Sequence, residues 1–207
     1  MSTFTALADL VLPRQCAGCR RPGALLCSAC RVELATPPTR VFPPTNPYVP
    51  VFSLGTYAGA HRGVVLAMKE RHNLAVRRHI GAVLDAALKY LEARGDLPAD
   101  AVLIPAPTRP SNARARGGDP VEVCCRATNR KVAAVLQLDE KAADQTNLDA
   151  AARRSNLAGS VRVSGVPAGE CVVVDDVVTT GATLQASVEK LLACGVDVVG
   201  CVTVCCA

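Results

Sequence analysis

The chain has 207 residues, half of them apolar, with a formal charge of +5, no Trp, and three each of Phe and Tyr. That length suits one α/β domain with a small appendage, and its core has to be built from Val, Leu and Ala rather than from rings. No apolar run approaches the roughly 18 residues of a membrane-spanning helix. Residues 1–12 lack the basic start and long apolar centre of a secretion signal, so a cytoplasmic protein is expected.

The first predicted element is a metal knuckle. Cys16, Cys19, Cys27 and Cys30 are spaced C-x2-C-x7-C-x2-C, which brings four thiolates around one tetrahedral ion, with Gly18 and Gly23 relaxing the turns. A reducing compartment disfavours disulfides, and a redox pair would not need a second pair. The expectation is a closed structural Zn2+ site without catalysis. The other seven cysteines (124, 125, 171, 194, 201, 205 and 206) lie mostly in apolar runs, where a free thiol behaves as a small hydrophobe.

Residues 36–50 hold six prolines and read as an extended linker rather than an element. This divides the chain into a knuckle and linker, residues 1–45, and a main domain, residues 46–207. Val51–Tyr57 is predicted as a strand. A helical region follows from about Gly63 to Ala93, broken near Asn73, with Ile80, Val83, Leu84, Ala87, Leu88 and Leu91 on one face. Gly95 ends it. Ala101–Pro107 is a short buried strand, and Asp119-Pro120 opens a helix predicted to reach about Leu136. Residues 141–160 are polar and aperiodic, as expected of a loop, and the segment from Lys141 to Asn156 is a candidate lid. A strand at Cys171–Val174, a helix with Leu184, Val188, Leu191 and Leu192 on one face, and a strand at Val196–Cys205 complete the order. Strand and helix in alternation predict an α/β fold with a parallel sheet covered on both faces.

The run Cys171-Val-Val-Val-Asp-Asp-Val-Val-Thr-Thr-Gly-Ala-Thr183 carries the chemistry. A buried strand delivers Asp175 and Asp176 to the carboxyl edge of the sheet, where ligands of open α/β folds bind. Thr179, Thr180, Gly181, Ala182 and Thr183 then form a turn into a helix N-terminus, a place for a phosphate. Carboxylates suit sugar hydroxyls or hydrated Mg2+. The charge is uneven: residues 60–80 and 109–131 are basic and residues 132–207 are net acidic. The basic stretches suit a polyanion such as pyrophosphate, a nucleic-acid surface, or simply solvated helix faces. Lys69 and Arg71 are read as helix-surface charges, with a substrate phosphate as the alternative. His61, His72 and His79 show no zinc-like or triad spacing and are read as surface or capping residues.

The run from Val172 to Thr183 resembles the signature of type I phosphoribosyltransferases. The resemblance implies that Asp175 and Asp176 form the catalytic pair and hold the ribose 2′ and 3′ hydroxyls. It implies that the segment from Val177 and Val178 through Thr183 binds the ribose phosphate, with Mg2+ arriving with the substrate. The turn after Pro107, with Thr108 and Arg109, is the natural pyrophosphate loop, joined by Arg114 and Arg116. Together with the knuckle, the chain resembles the ComF family of competence proteins, a four-Cys zinc finger ahead of a phosphoribosyltransferase domain. Tyr57, Gly59, Arg62 and Lys69, Ile104-Pro-Ala-Pro107, Arg114-Ala-Arg116-Gly117, and Gln145, Leu148, Arg153 and Asn156 match its motifs. Gly118-Asp119-Pro120 stands where that family commonly has Phe-Asn-Gln. The resemblance implies binding of 5-phosphoribosyl-1-pyrophosphate (PRPP) with an acceptor the sequence does not name. Its alternatives are a competence protein that binds single-stranded DNA and partners a helicase, and a non-catalytic sensor of the sugar pyrophosphate.

Overall fold

The computed structural model describes residues 14–71, 73–138 and 160–207. The first half of the chain gives α1 (Ser28–Leu34), β1 (Thr39–Val41), β2 (Val51–Ser53), α2 (Gly59–Lys69), α3 (Leu74–Ala93) and β3 (Val102–Pro105). The second half gives α4 (Pro110–Ala115), α5 (Pro120–Arg126), β4 (Leu136–Leu138), β5 (Val161–Val163), β6 (Cys171–Val178), α6 (Ala182–Ala193) and β7 (Val198–Cys206).

Five strands form one sheet in the order β1-β2-β7-β6-β3. β2, β7, β6 and β3 run parallel, and β1 adds an antiparallel edge. Val172, Val173 and Val174 are at most 1% exposed, the double-sided burial that a parallel strand demands of its sequence. Val173 and Cys201 pack in a cluster with Leu184, Val188 and Leu191 of α6. Val172, Val174 and Val202 pack with Leu84, Leu88 and Leu91 of α3 and Val121 of α5. The expected α/β sheet covered on two faces is therefore present.

The knuckle shares a core with α2 and α3: Cys16, Ala17, Leu26, Cys30 and Leu34 lie in one cluster with Ala60, Val64, Met68 and Val76. A side chain at Gly63 would collide with the Gly18 carbonyl. The Arg71 guanidinium donates to the Ala17 carbonyl at 3.3 Å and to that of Gly63 at 2.6 Å. The helical region is interrupted at Asn73, as its sequence predicts; the Asn73 side chain caps α3 by accepting from the Val76 amide.

Several expectations are corrected. Residues 36–50 are not only a linker, because β1 pairs there with β2. The helix opened by Asp119-Pro120 stops at Arg126 rather than Leu136. The Thr128 hydroxyl donates to the Cys125 carbonyl, and Lys131 and Ala133 then bond Leu103 at the open edge of β3. Backbone pairing with a strand outcompetes further helix. α4 is an element the sequence does not predict, and β4 pairs with β5 in a separate two-stranded antiparallel sheet. His61 is buried, its ring against Gly55, rather than on the surface. The candidate lid, residues 141–156, lies outside the described residues, and with it Gln145, Leu148, Arg153 and Asn156; His72 lies outside them too.

Candidate functional site

β6 continues past Val174, pairing with β7 through Val178, so Asp175 and Asp176 are strand residues rather than loop residues. Adjacent strand residues leave opposite faces. Asp176, 6% exposed, meets Lys69 at the end of α2, its Oδ2 lying 2.8 Å from Nζ. Asp175 is half-buried and its Oδ1 accepts the Asp176 amide at 2.7 Å. Burial first, and the neighbouring Asp176 carboxylate second, push the Asp175 carboxyl well above the ordinary carboxylate range, with Lys69 pulling the other way. Asp175 is in register with Thr203 of β7, and Thr203 with Ser53 of β2. This places three oxygen-bearing side chains in a row across the sheet. The Thr203 hydroxyl is buried with no hydrogen-bond partner among the described residues.

Beyond Val178 the backbone turns through exposed Thr179 and Thr180 into Gly181, at φ +83°. α6 begins at Ala182 with no side-chain cap and no acidic residue in its first turn. The Ala182 amide donates to the Thr180 hydroxyl at 3.4 Å, and the N-terminus of this 12-residue helix keeps the partial positive charge that favours a phosphate. A clasp holds the turn from the amino-terminal side. The Thr45 amide donates to the Thr180 carbonyl at 2.8 Å, and the Tyr48 hydroxyl bonds Glu189 Oε1 and Gln185 Nε2 on α6.

β3 lies beside β6, and the Ala106 amide donates to the Val174 carbonyl at 2.7 Å. The segment to Thr108 and Arg109 therefore leaves the sheet next to Asp175. Arg109 is the N-cap position of α4, while Arg114 and Arg116 come at its far end, about 9 Å along the axis at 1.5 Å per residue. The structure thus separates the candidate pyrophosphate residues into two groups. What fixes the second group is Arg77 of α3, which sequence reasoning missed. Only 1% exposed, it donates to the carbonyls of Arg116 (2.5 Å), Gly117 (3.2 Å), Gly118 (3.3 Å) and Met68 (3.3 Å). Nothing in a mid-helix Arg-Arg pair signals such a role.

In the knuckle, the four Sγ atoms of Cys16, Cys19, Cys27 and Cys30 lie within 4.8 Å of one another. Cys19 and Cys27 are 3.7 Å apart, close to the ~3.8 Å separation of two tetrahedral ligands 2.3 Å from zinc. Burial raises the Cys16 thiol, but amides of Cys19, Cys27 and Gly18 directed at its sulfur outweigh that and bring it to about 6. The donor set and spacing suit one Zn2+.

Residues 127–207, from the end of α5 through β7, match the phosphoribosyl transferase domain. The fold is of the type I phosphoribosyltransferase kind, preceded by a four-cysteine cluster. The comparison with curated proteins gave no match. Among solved structures, the chain is similar to a hypoxanthine phosphoribosyltransferase from Staphylococcus aureus, at 13% identity and a TM-score of 0.37. The similarity covers 62% of each chain, so this chain spans less than two thirds of that protein. Among the described residues, no helix is long and apolar enough to cross a membrane.

Proposed function

We propose that the chain binds PRPP at the carboxyl edge of β3 and β6 and transfers its phosphoribosyl group to a nucleophile. One observation carries this reading: β6 presents an acidic pair and then turns through Gly181 into the uncapped N-terminus of α6. Sugar-hydroxyl acceptors are thereby followed at once by phosphate donors. In the reaction the bond between ribose C1 and the diphosphate oxygen breaks, and the electron pair leaves with the diphosphate. A new bond forms from C1 to the acceptor, which loses a proton. Asp175 and Asp176 would hold the ribose hydroxyls and face the charge that develops on the ring. Thr179 to Thr183 would cradle the 5′-phosphate. Thr108 and Arg109 would stand at the diphosphate, whose charge Mg2+ would screen when bound with it.

The four-cysteine cluster ahead of this domain supports a ComF-type arrangement in which Cys16, Cys19, Cys27 and Cys30 hold a structural Zn2+. Calorimetric titration with PRPP and Mg2+ tests the central reading. The wild type should bind, and a folded protein carrying both Asp175→Asn and Asp176→Asn should not. Unchanged affinity in that variant would overturn it. A second reading, contact with single-stranded DNA, is favoured by the exposed Arg20, Arg21 and Arg31 on the knuckle. Backbone contacts of that kind would weaken steeply as salt is raised.

A further inference from the structure

We propose that Lys69 is the residue by which this site distinguishes a diphosphate from a single phosphate. The inference rests on the PRPP reading and assigns to that site a group contributed by α2, outside the phosphate turn and outside the loop after β3. Lys69 stands at the end of a helix anchored at several points. Glu33 Oε1 accepts the Ala60 amide at 2.7 Å, the Tyr57 amide donates to the Cys206 carbonyl, and Arg71 ties the far end to the knuckle. The ammonium is consequently delivered to Asp176 by a rigid element, while its own stem stays 29% exposed against 8% for Asp176.

Geometry then supplies the choice of ligand. Arg77 bonds the Met68 carbonyl, one residue before Lys69, with the same nitrogen that bonds the Arg116 carbonyl. The end of α2 and the basic turn after α4 therefore meet across a single guanidinium, and Lys69, the next residue of α2, pairs with the acid pair through Asp176. The single phosphate of a ribose 5-phosphate has its donors elsewhere, at the first amides of α6. The C1 diphosphate is carried on the other side of the ribose and is the group assigned to Lys69, whose ammonium already lies 2.8 Å from Asp176. An ammonium has three donors, and Asp176 is the one partner it has among the described residues. When ribose hydroxyls occupy Asp176, the cation is released to a diphosphate oxygen by rotation of its flexible stem, forming a charge-assisted bond.

The test is calorimetric titration of the wild type, Lys69→Gln and Lys69→Arg with PRPP, inorganic pyrophosphate and ribose 5-phosphate, each with Mg2+. Gln keeps a donor for Asp176 and removes the charge, and Arg keeps the charge, so thermal melts of both variants separate folding from recognition. Lys69→Gln should weaken PRPP and pyrophosphate about tenfold or more, the worth of one hydrogen bond between charged groups. Ribose 5-phosphate affinity should stay within about twofold, and Lys69→Arg should recover most of the loss. An equal loss for all three ligands, or no loss for the two diphosphates, overturns the assignment. A wild type that ignores PRPP yet takes pyrophosphate through Lys69 would sink the transferase reading and leave this inference standing; no affinity for any of the three would sink both.

Discussion

Asp175 is held at a cost to folding. Its carboxyl is pushed up by burial and by Asp176, so between the ordinary carboxylate pKa, about 4, and its raised folded value the native state holds a proton that the unfolded chain has lost. Stability from this group is present below that window and falls as pH rises through it. Asp175→Asn should accordingly melt higher than the wild type at pH 8, with the gap closing toward pH 4.5, in ligand-free thermal scans across pH. A variant that melts lower at pH 8 would contradict the account. Arg77 shows the opposite economy. Its charge is buried, yet four carbonyls accept from its two terminal nitrogens, so the desolvated guanidinium is offset by hydrogen bonds and ties the partly exposed turn at Arg116–Gly118 to α3.

At the scale of elements, the decisive piece is the β6–turn–α6 unit and the clasp over it. Gly181 sits in the left-handed region, and a Cβ there would come 2.5 Å from the Thr45 carbonyl oxygen and 2.8 Å from Pro43 Cβ. Gly181→Ala should therefore destabilise by more than the ~1 kcal/mol of backbone strain alone, and should weaken PRPP binding while zinc content is unchanged. Denaturant melts, calorimetry and metal analysis on one preparation check all three. The unit itself was legible in the sequence because an unbroken β-branched run, an acidic pair and a Thr-Thr-Gly turn each have a local cause. The clasp was not legible. Proline content speaks of local stiffness, whereas β1 needs β2 as its partner, and the bonds from Thr45 and Tyr48 reach a turn and a helix more than a hundred residues later. For the same reason the helix after Asp119 was overextended, since its stop is set by the distant edge of β3. Lys69 was visible as a charge, but its partner is settled only by packing.

Across the whole molecule, the knuckle is not an independent bead. Its buried cysteines share a core with α2, and α2 carries Lys69 to the acid pair. Because folding of a thiolate knuckle is coupled to its metal, removing the proposed zinc with a chelator or by Cys27→Ser should lower the melting temperature of the whole protein and weaken the proposed PRPP binding. Calorimetry on metal-stripped protein decides this, and full retention of affinity would show that the knuckle is mechanically separate. A different consequence follows from the place of β7. It is the latest strand of the sheet in sequence, yet it lies between β2 and β6. During synthesis at roughly 5–20 residues per second, β2 waits without its parallel neighbour and β6 waits with a row of bare amides and carbonyls along a valine-rich edge. Such edges pair readily with other chains. The newborn polypeptide is therefore most exposed to misassembly in the seconds before β7 emerges, and its demand on holding chaperones should peak then.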